Sequence, residues 1–141
     1  MVAAAFLHPF DKLVGIEYLE NLHSLALLIK RFFDENFDNV IQSNVGLFKN
    51  INRNSKFEVI NGNFLEYDWS HASFIFANST CFSTDLMSSL SQKAEELKKG
   101  TIFVTFTKKL PNLSENWEIR EGFRRVMSWG IATIYVHRKI Y

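Results

Sequence analysis

Glu17 is the side chain whose type and position suggest chemistry most directly. It closes Lys12-Leu13-Val14-Gly15-Ile16-Glu17, a short β-prone run, and a long amphipathic stretch follows at once. In doubly wound α/β domains, an acid at the carboxyl end of the second strand hydrogen-bonds the ribose of a nucleoside-containing cofactor. A carboxylate suits this task because its two oxygens accept from both vicinal hydroxyls at once. An acid in this place also suits a nicotinamide dinucleotide, although the hairpin at the end of the chain argues against that class. Glu17 can alternatively cap the helix it precedes.

Other reactive side chains point to less. Cys81, between Thr80 and Phe82, has no evident His partner and reads as a small buried residue rather than a nucleophile. The four His (His8, His23, His71, His137) lack metal-ligand spacing, so no metal is expected. His23 and His137 sit among structural residues. Lys108 and Lys109, with Lys49, Arg53 and Lys56, suggest a basic rim for a nucleosomal or RNA acceptor, but the balanced total charge favours a solvated surface.

The elements that position these residues come from a chain of 141 residues, 47% hydrophobic, which is enough for one domain with a real core. Its net charge of +1 supplies no global field toward nucleic acid or membrane. One Cys excludes an internal disulfide and fits a reducing, intracellular compartment. No apolar run approaches the ~18 residues needed to span a bilayer. Residues 2 to 7 read as a short buried helix rather than a signal peptide, ending near Pro9.

Lys12 to Glu17 is strand-like. Leu22, Leu25, Ala26, Ile29, Phe32 and Phe33 predict a helix over 19 to 37 with one broad apolar face. Residues 38 to 56 are rich in Asn and Ser, with Val45, Leu47, Phe48 and Ile51 as apolar anchors, and read as a surface connection. Residues 57–60 and 73–77 are strand candidates. Ser83 can cap a helix whose apolar side is Leu86, Met87, Leu90, Ala94 and Leu97; Lys98 and Lys99 suit its dipole end and Gly100 its stop. Thr101 to Thr107 is a buried strand. Residues 117–127 and 131–140 form an antiparallel pair around Ser128-Trp129-Gly130.

Alternating strands and helices argue a mainly parallel sheet with an antiparallel edge. This order resembles the class I S-adenosylmethionine-dependent methyltransferases. Val14-Gly15-Ile16-Glu17 looks like their second-strand signature, and Gly62-Asn63-Phe64-Leu65 like the Gly-Asp-Phe-Leu beside the adenine. Residues 75–82, Ile-Phe-Ala-Asn-Ser-Thr-Cys-Phe, resemble Ile-Phe-Val-Asn-Asn-Phe-Ala-Phe of the disruptor-of-telomeric-silencing family, the histone-lysine methyltransferases without a SET domain. Ser128-Trp129 matches a Ser-Trp near that family's carboxyl end.

The resemblance implies a Rossmann-like α/β fold over residues 1–141 and S-adenosylmethionine as cofactor. It places Glu17 and Tyr18 at the ribose, Asn63 and Phe64 at the adenine, and Asn78 beside the methionine portion and the chemistry. Phe82 and Trp129 would wall a channel for the acceptor nitrogen, whose apolar lining lowers a lysine's pKa toward the reactive amine. The implied activity is histone-lysine N-methylation, with a nucleosomal histone as protein substrate and the nucleus as location, or the cytoplasm for another acceptor. Ser79-Thr80 stands where the family has Asn-Phe, Asn63 where it has an acid, and Ile134 near its channel Tyr. The family's first strand and glycine-rich loop would fall before Met1, so the resemblance implies a partial domain. Its second and fourth strands would then pair directly, or await a complementing chain or dimer. A catalytically inactive relative serving as an interaction module is the alternative to an enzyme.

Overall fold

Three consecutive alanines start the first element, and the approach to Pro9 ends it. The computed structural model describes residues 1–44, 46 and 51–141. In chain order the elements are α1 (Val2–Leu7), β1 (Lys12–Glu17), α2 (Glu20–Ser43), β2 (Lys56–Asn61) and β3 (Phe74–Ala77). A 3-10 turn, Ser79–Cys81, leads into α3 (Thr84–Ala94), followed by β4 (Ile102–Phe106), β5 (Trp117–Met127) and β6 (Gly130–Lys139). The chain divides into two compact units, Met1–Tyr67 and Asp68–Tyr141.

In the first unit β1 and β2 pair in parallel, from Lys12↔Lys56 to Glu17↔Asn61. Four rings build the core between helices and sheet. Phe33 lies 5.5 Å from Phe6, 5.0 Å from Phe37 and 5.4 Å from Phe57, mostly edge to face. Such pairs add about 0.5–1.5 kcal/mol each beyond their area burial. α2 runs six residues past its expected end because Phe37 and Ile41 continue the inner face at helical spacing, with Ile41 buried. Of the Asn side chains that suggested a loop, Asn44 is the C-cap residue of α2 and donates to the Val40 carbonyl four residues back. Of the expected connection's anchors, Val45, Leu47 and Phe48 lie outside the described residues.

The second unit is a four-stranded sheet of order β3-β4-β6-β5. β3 and β4 are parallel; β4–β6 and β5–β6 are antiparallel. Ser83 caps α3 as expected, its Oγ accepting from the Leu86 N–H at 3.1 Å. α3 nevertheless ends at Ala94, short of Gly100. The amides of Glu95, Glu96 and Leu97 bond three residues back rather than four, so the last turn tightens while Leu97 stays in the core. Gly122 in β5 is required by close approach: a Cβ there would stand 2.3 Å from Thr133 Cγ2 and 3.2 Å from the Ile134 carbonyl. The edge strand β5 carries Arg120, Arg124 and Arg125 and a register break, features that discourage edge-to-edge pairing.

Among the described residues the strands form two sheets, one in each unit. No helix among those residues is long and apolar enough to cross a membrane.

Candidate functional site

Parallel strands present their carboxyl ends at one end of a sheet, the place where open α/β sheets bind ligands. In the first unit the Glu17↔Asn61 register makes the two ends level. Asn61 Nδ2 donates to the carbonyls of Glu17 (3.0 Å) and Tyr18 (3.3 Å), and the Gly62 N–H to Glu17 O (3.0 Å), tying both exits together. The Glu17 carboxylate accepts the Leu19 N–H through Oε1 at 2.9 Å. Leu19 is the N-cap of α2 and has no side-chain oxygen to offer, so Glu17 secures the start of that helix. Among the described residues no hydrogen bond engages its Oε2. Tyr18 is exposed.

Asn63 begins the turn after β2. Its Oδ1 accepts the Leu65 N–H and its Nδ2 donates to Glu66 Oε1, both at 3.0 Å. This is a local Asx turn, which leaves one amide hydrogen and one lone pair for another partner. Phe64 follows, half-buried.

In the second unit β3 ends at Ala77, level with Thr105 of β4. Asn78 comes next and is exposed, its Oδ1 accepting from Thr80 Oγ1 at 3.2 Å. Thr80 Oγ1 lies 3.1 Å from Thr107 Oγ1. Fully buried Ser79 donates to the Phe106 carbonyl at 2.7 Å and accepts the Phe106 N–H at 3.2 Å. Thr107 holds a φ of +66°, a region β-branched residues rarely adopt, and donates its N–H to Thr133 O at 2.7 Å. Ser79 and Thr107 thus define this edge as much as Asn78 does. Sequence reasoning missed them because their significance lies in partners 26 or more residues away, and backbone strain leaves no residue pattern.

Phe82 is half-buried; its N–H donates to Ser79 O at 3.1 Å and its carbonyl accepts from Lys108 Nζ. Trp129 sits at the hairpin tip, 57% exposed. Phe106 pairs with Ile134, so Gly130 stands four residues, roughly 14 Å, beyond the carboxyl end of β4. The register therefore puts Asn78 and Trp129 at the same end of this sheet, with Trp129 projecting past it.

Cys81 is exposed, not buried as expected, because the 3-10 turn it ends carries the chain over the surface toward α3. Arg53 pairs with Asp38 at 3.3 Å and Lys108 binds Phe82 O, so these cations are used locally. Lys49 lies outside the described residues. His137 is fully buried, its Nε2 accepting the Leu110 N–H at 3.1 Å and its Nδ1 lying 3.0 Å from the Phe103 carbonyl. Those contacts require the neutral ring with the proton on Nδ1. Burial pushes its pKa down, the Phe103 carbonyl opposes this, and the Lys109 charge adds to the lowering. No cluster of three or more His, Cys, Asp or Glu among the described residues is arranged to hold a metal.

No protein-family model matches the chain, and no curated protein matches its sequence. Solved structures do. One is the "putative methylase HI0767" of Haemophilus influenzae, at 17% identity and a TM-score of 0.57, covering 93% of this chain and 74% of that one. Another is the "putative methyltransferase yhhF" of Escherichia coli, at 15% identity and a TM-score of 0.54, covering 93% of this chain and 66% of that one. This likeness establishes the fold alone: a Rossmann-like α/β fold of the kind these two structures have.

Proposed function

We propose that the chain is an S-adenosylmethionine-dependent methyltransferase domain in which Glu17 holds the cofactor ribose. The observation that carries this reading is the level pairing of Glu17 with Asn61 at the carboxyl end of β1 and β2. The donor set fits a nucleoside. Glu17 Oε2 is an open acceptor for a vicinal hydroxyl, and Asn63 retains hydrogen-bonding capacity for a base edge; the place of Phe64 at the adenine rests on the resemblance. When bound, the cofactor supplies a sulfonium methyl open to in-line displacement. The chain's own residues bind, align and exclude water. Asn78, Phe82 and Trp129 remain the candidates for the methionine portion and the acceptor channel, on resemblance alone. So does the narrower activity, methylation of a histone lysine.

Calorimetric titration with S-adenosylhomocysteine tests the reading. Glu17→Gln preserves an acceptor for the Leu19 N–H but removes the charge, and should weaken binding about tenfold. Wild-type protein that is folded yet binds nothing, or an unchanged Glu17→Gln affinity, defeats it. A second reading, an inactive relative serving as an interaction module, is favoured by the apolar stripe exposed along α2.

A further inference from the structure

Helix α2 carries more apolar surface than its own unit covers. Ala26, Phe33, Phe37 and Ile41 share the face that packs toward β1 and β2. Leu22, Leu25, Leu28, Ile29 and Phe32 lie on an adjoining face and stay 44, 52, 63, 50 and 68% exposed. At about 100° per residue, the combined apolar arc spans roughly 220°, against the ~100° stripe that suffices for a surface helix. Two further features say what the uncovered half fits. Leu22, Leu25, Ile29 and Phe32 follow the 3-4-3 spacing of a heptad seam, the pattern by which one helix meets another. Asn36 and Asn39, at the next seam positions, close it. The charged pairs Lys30–Asp34 (2.5 Å) and Arg31–Glu35 (2.9 Å) are made within the helix and leave the seam bare.

The exposed part of these five side chains amounts to roughly 500–600 Å² per copy. That lies at the upper end of the ~300–600 Å² of the largest apolar patch on a typical monomer, which is often functional, and is about two-thirds of the ~800 Å² per partner of a standard interface. The seam is also self-complementary. Laid antiparallel on itself, it sets Leu25 against Ile29 and Leu22 against Phe32 twice over, and a two-fold contact needs only one such patch.

We propose that α2 is a two-fold dimer interface, occupied by the same helix of a second copy of this chain. This stands whether or not the cofactor binds, because no residue of the seam belongs to the proposed cofactor site. Sedimentation equilibrium of the full chain across micromolar concentrations should return a dimer. Ile29→Glu buries an unpaired charge in the seam and should weaken association roughly a hundredfold, with the far-UV circular dichroism unchanged. Should that variant unfold, Leu25→Cys/Ile29→Cys in a Cys81→Ser background decides, since oxidation should give covalent dimers. A monomeric wild type overturns the proposal and leaves the seam to a helix of another protein. A dimer that tolerates Ile29→Glu and does not cross-link through α2 overturns it equally.

Discussion

Removing the carboxylate of Glu95 should destabilise the second unit at neutral pH and flatten its acid response. Glu95 Oε2 meets Lys139 Nζ at 2.7 Å, while Ser114 donates its N–H to Oε1 and its hydroxyl to Oε2, both at 2.9 Å. The Lys139 side chain is only 5% exposed and its ammonium lies 5.0 Å from the Trp117 ring. Burial raises the Glu95 carboxyl, but the Lys139 and Ser114 bonds and the lysine charge outweigh it and leave the group at about 2. Against an ordinary 4.5, that is worth about 3 kcal/mol at about 1.4 kcal/mol per pH unit. The Glu95 side chain is 33% exposed, so solvent screening reduces the figure to about 1–2 kcal/mol. A carboxyl depressed in the folded state contributes this stability above pH 4.5 and loses it as pH falls toward 2. Glu95→Gln also leaves a buried ammonium without its counter-charge, with the Glu95 main-chain carbonyl at 3.3 Å still accepting from it, so the total cost at pH 7 should reach about 2–3 kcal/mol. Urea titrations followed by tryptophan fluorescence at several pH values measure both effects. Lys139→Met in the Glu95→Gln background should recover part of the loss. A cost below about 0.5 kcal/mol at pH 7, or an acid response parallel to wild type, would refute the reasoning.

Two further outcomes follow from buried groups. His137 is depressed by burial, so its contribution is complete above its ordinary 6.5 and is lost as pH falls through the folded value; His137→Gln should remove that part of the pH dependence, measured by the same titrations from pH 8 down to 5. Ser79→Ala leaves the Phe106 N–H and carbonyl without the hydroxyl that serves both, and should cost about 1–3 kcal/mol, with faster hydrogen exchange at Phe106 as the local readout.

What the residues disclosed, and what they withheld, follows from the range of the forces involved. β1 and β5 were legible to the residue because β1 is a short apolar run between Lys12 and Glu17, and β5 stops where Ser128-Trp129-Gly130 marks the hairpin turn. The length of α2 was not, because the Asn and Ser beyond residue 37 look like loop formers, and Asn44 shows its use only as the C-cap residue whose amide donates to the Val40 carbonyl one turn back. The helical period of α2 was legible too, but not its division. Leu22, Leu25, Ala26, Ile29, Phe32 and Phe33 read as one face, and only the position of β1 and β2 separates the covered Ala26 and Phe33 from the exposed remainder. Asn78 was visible as a residue type at a strand end, whereas Ser79 and Thr107 depend on chain segments that meet only after folding.

Glu17 shows how two readings of one side chain combine. As a helix cap and as a ribose ligand it looked like a choice between alternatives. The carboxylate has two oxygens, however, and the Leu19 N–H engages only Oε1. That bond fixes the carboxylate's orientation during folding, so the side-chain entropy is spent before any ligand arrives. Oε2 is then held at the carboxyl end of β1, level with Asn61. A cap on the helix is therefore the means by which the proposed ribose acceptor is pre-positioned. For the same reason Glu17→Gln, which can keep the cap and changes only the charge, tests the cofactor contact more cleanly than Glu17→Ala, which disturbs both.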